Sequence, residues 1–119
     1  MRPLLLAGGW LYAGAIVWLS LTPSPPDPGI EYGDKLGHFL AYALLMLWFA
    51  WLHRGRGARL AYAALWIGMG VALEFAQGQT AVRSFELADM AANALGVAAG
   101  AAAALILPRA SAAGETGTR

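Results

Sequence analysis

The reading turns on Glu74-Phe75-Ala76-Gln77-Gly78-Gln79-Thr80-Ala81-Val82-Arg83-Ser84-Phe85-Glu86-Leu87-Ala88-Asp89-Met90-Ala91-Ala92-Asn93-Ala94-Leu95-Gly96-Val97-Ala98-Ala99-Gly100. A carboxylate and an amide close one apolar run, and Arg83 sits in a short polar break. A second carboxylate and amide then open the next apolar run. Ionisable groups inside helices of hydrocarbon length are costly, so such groups mark a site by default.

Working outward, the whole chain is unusually apolar. Of its 119 residues, 59% are hydrophobic and 13% charged, with mean hydropathy +0.54. Soluble domains sit near 45–50% apolar and about 25% charged, so the expectation is an integral membrane protein. A net charge of +1 gives no nucleic-acid footprint. With no cysteine there is no disulfide framework and no thiolate metal site.

Four apolar runs follow one another: Leu4 to Leu21, Leu36 to Leu52, Leu60 to about Gln79, and Phe85 to Leu107. Each approaches the roughly 20 residues that cross a bilayer. The first is longer than a signal-peptide core, lacks an A-x-A-like cleavage site and carries Trp10, Tyr12 and Trp18, so it is read as a retained helix. Thr22 to Gly29 holds four prolines and reads as an extended connector. His53 to Arg59 reads as a basic loop, with attraction to anionic lipid as a by-product. The expected fold is an all-α four-transmembrane-helix bundle over residues 1–109, with a flexible cytoplasmic tail at 110–119. By the positive-inside rule Arg2, Arg54, Arg56, Arg59, Arg109 and Arg119 put both termini in the cytoplasm. The expected location is the cell (inner, cytoplasmic) membrane.

That topology brings distant residues to one depth. Asp34, His38 and Tyr42 follow i, i+4, i+8; Gly70, Glu74, Gln77 and Gly78 share a face; Asp89, Asn93, Gly96 and Gly100 follow i, i+4, i+7, i+11. The polar residues among them (His38, Tyr42, Glu74, Gln77, Asp89 and Asn93) lie toward the outer helix ends, the deepest roughly 8–12 Å in at 1.5 Å per residue. Asp34 is placed to cap the second helix and Ser84 the fourth. Gly96 and Gly100 offer a face for close helix approach.

Each residue also has a plainer reading. His38 could be a headgroup-level histidine, Tyr42 an aromatic-belt residue, Arg83 a snorkelling side chain, and Asp89 a helix-dipole partner. Glu74 could form an ion pair that only fixes packing. The ligand types allow a metal, but no fixed spacing selects one, and neither metal nor cofactor is expected.

These motifs resemble the VanZ-like family of small bacterial membrane proteins. The match is Asp34-Lys35-xx-His38-Phe39-xx-Tyr42, Glu74-xx-Gln77, Arg83, and Asp89-xxx-Asn93-xx-Gly96-xxx-Gly100. The resemblance implies a multi-spanning protein whose founder is associated with low-level teicoplanin resistance, and it supplies no reaction.

Three functional expectations follow. In the first, an outward pocket binds an anionic, lipid-linked cell-envelope group. Lys35 and Arg83 hold the charge, Gln77, Asn93, Asp34 and Tyr42 orient the ligand, and His38, Glu74 and Asp89 serve as acid and base if chemistry follows. In the second, the cluster only locks the bundle, and the protein acts through an envelope-enzyme partner; a homo-oligomer is a further possible assembly, which transport would need. The third, proton-coupled transport, ranks last, because no span is polar in its cytoplasmic half.

Overall fold

The computed structural model describes residues 2–22, 33–79 and 86–107, with the side chain of Asp34 excluded. Within them are four helices and no strand: α1 (Arg2–Leu21), α2 (Gly33–Leu52), α3 (Arg56–Gly78) and α4 (Leu87–Ala104). Each is long and apolar enough to cross a membrane. Leu4, Leu11, Trp18, Leu44, Leu60 and Leu95 all face outward. Helices with this much outward apolar surface suit hydrocarbon rather than water. The proline-rich connector, Ser84 and the 110–119 tail lie outside the described residues.

The helices run up and down. Gln77 near the end of α3 bonds to Ser20 near the end of α1, and the backbone of Glu86, just before α4, bonds to Glu74 of α3. Lys35 at the start of α2 joins the same end. At the opposite end Trp48 of α2 donates to the Leu5 carbonyl of α1 (3.0 Å).

The closest helix pair is α2 with α4, and its cause is legible in two glycines. A Cβ on Gly96 would run into the Phe39 carbonyl oxygen, and one on Gly100 into that of Ala43. Only hydrogen at these positions lets the backbones meet, as in small-residue packing of membrane helices. The α1 helix packs on α2 and α3 and makes no contact with α4. It is held by an aromatic knot: Phe49 stacks on Tyr62 (4.7 Å between ring centroids), while Trp10 and Trp66 meet Phe49 at 5.3 and 5.2 Å. Such ring pairs add about 0.5–1.5 kcal/mol each beyond area.

Several boundaries differ from the sequence expectation. The α1 helix starts at Arg2, not Leu4, and α2 starts at Gly33, not Leu36, so Asp34 lies inside the first turn of α2 and is not its cap. The α3 helix starts at Arg56, not Leu60, so the basic loop shortens to its first residues. The reason is Arg59, whose guanidinium donates to the carbonyls of Ala50 and His53 and closes the last turn of α2. The α4 helix starts at Leu87 and ends at Ala104, inside the expected run. Its N-cap position is Glu86, not Ser84, and no side chain of its own caps it.

Candidate functional site

The polar residues near the end of α3 and in the first half of α4 are buried. Glu74 is 1% exposed, Gln77 2%, Asn93 3% and Asp89 6%. Their spacing explains this. Gly70, Glu74 and Gln77 form the buried stripe of α3 near its end, whereas Gly78 is exposed. Asp89, Asn93, Gly96 and Gly100 form the buried stripe of α4. Gly70 has a further use: a Cβ there would stand 2.9 Å from Asn93 Nδ2, so the glycine makes room for the amide.

Four helices meet through these groups. His38 Nδ1 lies 3.0 Å from Asn93 Oδ1 and donates to it, joining α2 to α4. That leaves Nε2 turned toward Asp89, 3.8 Å from Oδ2. Lys35 Nζ lies 2.9 Å from Asp89 Oδ1 and also contacts Glu86 Oε1. The Lys35–Asp89 contact is an ion pair without aligned hydrogen-bond geometry, since Oδ1 has no angularly acceptable donor.

Glu74 accepts from the backbone N–H of Glu86. This supplies from α3 the acceptor that the N-terminus of α4 lacks locally. The Asp89 carboxyl and the His38 ring are the electrostatic neighbours of Glu74. Gln77 donates from Nε2 to the Ser20 carbonyl (2.7 Å), tying α1 to α3. Tyr42 is 2% exposed and belongs to the core, with Glu74 within electrostatic range.

Lys35, His38, Glu74, Asp89 and Asn93 thus come together as expected from their spacing, and Gln77 also reaches α1. Arg83 and the Asp34 side chain lie outside the described residues. Glu86 was not anticipated. Read from sequence it is an ordinary acidic residue before a helix; its position three residues ahead of Asp89 was the available signal. Among the described residues the cluster therefore holds three carboxyl groups, Glu74, Glu86 and Asp89, against Lys35 and the histidine ring.

No family model matches the chain, and no solved structure matches it. A similar protein is an uncharacterized protein of Schizosaccharomyces pombe, 35% identical over 82 residues, which are 66% of this chain and 49% of the yeast protein. The chain thus spans about half the length of that relative. The resemblance to the bacterial VanZ-like family is corrected by these findings. No family model sustains it, and the similar protein is eukaryotic and uncharacterized. The antibiotic-resistance expectation rested on that resemblance and is withdrawn with it.

Proposed function

We propose that the chain is a non-catalytic, multi-pass membrane module whose polar cluster fixes the arrangement of its helices. The observation that supports this reading is the pattern of pairing. Lys35–Asp89 and His38–Asn93 join α2 to α4, Glu74 joins α3 to the start of α4, and Gln77 joins α3 to α1. Apolar packing within lipid gives little directional preference, because lipid tails are as apolar as leucine. Polar pairs between helices supply the register that packing leaves open. On this reading the protein works through contacts with another membrane protein and not through turnover. The basic residues Arg54, Arg56 and Arg59 support a reading in which the opposite helix ends are cytoplasmic and the cluster faces outward.

The first sequence expectation, an anionic ligand, now depends on Arg83. Lys35 is engaged by Glu86 and Asp89, and an anion would have to compete with both. A second reading, an acid–base site of His38, Glu74 and Asp89, is favoured by one observation. Two carboxyl groups are neighbours in a buried place, which a lock alone does not require.

The test replaces the charges and keeps volume: Lys35→Met, Glu74→Met and Asp89→Leu in one chain. Expressed in a deletion strain, a lock-only variant corrects whatever growth defect the deletion causes. A variant that inserts and folds like the wild type yet fails to complement overturns the reading and favours the acid–base site.

A further inference from the structure

The end opposite the polar cluster has a different character. Because α1 does not touch α4, a lateral cleft of about 550 Å³ opens over α2. Gly8 and Tyr12 line it from α1, Leu44, Trp48 and Trp51 from α2, and Leu107 closes it beyond α4. Its walls are fixed by two bonds between helices, Tyr12 Oη to the Ala41 carbonyl and Trp48 Nε1 to the Leu5 carbonyl, each 3.0 Å. The cleft therefore exists before any occupant arrives, which removes an ordering cost from binding.

The end of the bundle toward which it runs carries charge of one sign. Arg2 opens α1, and Arg54 and Arg56 follow Trp51 by three and five residues. Arg2 and Arg56 are exposed. Among the described residues every acidic side chain (Glu74, Glu86 and Asp89) belongs to the other end. An apolar slot that runs toward the basic end of the bundle matches one kind of molecule in a membrane: a lipid with an apolar chain and an anionic head.

We infer that this cleft holds one acyl chain of an anionic phospholipid, with its phosphate at the level of Arg2 and Arg56. The chain gains packing contacts with the aromatic walls, not hydrophobic transfer, because the surrounding bilayer is itself apolar. The arginines provide the selectivity. A basic residue at the membrane surface is worth about fivefold in affinity for anionic lipid.

Native mass spectrometry of the full chain, released from nanodiscs of phosphatidylglycerol or of phosphatidylcholine, tests this. Gly8→Leu is the informative variant. Nothing lies within 4 Å of a Cβ at Gly8, so a side chain there enters the cleft without displacing protein. Leu44→Trp, at an outward position on the other wall, is an independent second block. The wild type is expected to retain one phosphatidylglycerol, and both blocks to lower the bound fraction about tenfold with helicity unchanged. Arg2→Gln with Arg56→Gln should lower the preference for phosphatidylglycerol over phosphatidylcholine about thirtyfold. Equal retention of the two lipids by the wild type overturns the inference. So does undiminished retention in both cleft variants, or a dimer that Gly8→Leu dissociates, which would make a second copy the occupant.

Discussion

Replacing Gly96 with alanine adds one methyl group at the tightest crossing in the bundle. That methyl would overlap the Phe39 carbonyl oxygen and lie 3.1 Å from the Ala43 nitrogen. Both neighbours are backbone atoms of α2, so no side-chain rotation relieves the contact and α2 must move away from α4. Overpacking of this kind costs about 1–3 kcal/mol. Separation would also stretch the Lys35–Asp89 and His38–Asn93 pairs, which bridge the same two helices. The matched control is Gly8→Ala, where a Cβ meets nothing within 4 Å. A glycine inside a helix is destabilising by about 0.5–1 kcal/mol relative to alanine, so this variant should gain stability. The same chemical change at two positions is thus expected to differ by about 2–4 kcal/mol. Reversible unfolding in mixed micelles with a denaturing detergent reads the difference. If the two variants fall within about 0.5 kcal/mol of each other, the close α2–α4 approach is not what holds the bundle.

Three further outcomes are expected. Gln77→Leu loses the bond to Ser20 and should cost about 0.5–1.5 kcal/mol, with faster hydrogen exchange confined to the end of α1. Arg59→Gln leaves the Ala50 and His53 carbonyls short of donors and should destabilise by about 1 kcal/mol, with the last turn of α2 losing exchange protection first. Trp66 buries an indole N–H that has no partner among the described residues, so Trp66→Phe should change stability by less than about 1 kcal/mol as relief of that donor offsets lost ring contacts.

Much of this architecture could be read from hydrophobic run length and helical spacing. The four spans were visible because each apolar run is bounded by proline, glycine or charge, and the buried stripe from Asp89 to Gly100 because i, i+4, i+7, i+11 recurs on one helix face. The start of α3 was misplaced because two arginines and a glycine look like loop; Arg59 becomes helical by finding carbonyls on α2, a tertiary contact with no local signature. Glu86 was passed over for the same reason. Its value comes from a backbone N–H that meets Glu74 and a carboxylate that meets Lys35 51 positions away. The aromatic knot of Trp10, Phe49, Tyr62 and Trp66 also escaped notice, because Trp10 was read as an interfacial anchor and the rings meet only through tertiary packing.

The two glycine contacts and the polar pairs are complementary. Gly96 and Gly100 bring α2 and α4 close, and Lys35 and His38 fix which residues then face each other. A packing face of small residues alone would permit sliding by one turn. Asp89 and Asn93 remove that freedom, since a shift of one turn would leave two buried polar groups unpaired, at a cost of about 1–3 kcal/mol each.

The lock is tested most directly by a double-mutant cycle on Lys35 and Asp89, using Lys35→Met, Asp89→Leu and the double variant, with unfolding free energies measured in bilayer-like micelles. Lys35 is about a quarter exposed and its ion pair is partly screened. A favourable coupling of about 1 kcal/mol is therefore the predicted result, with the double variant at least as stable as either single one. Additive effects within about 0.3–0.5 kcal/mol, or an Asp89→Leu variant more stable than the wild type, would contradict it. Either would mark the carboxyl cluster as a site kept at the expense of stability, and not as what holds the helices together.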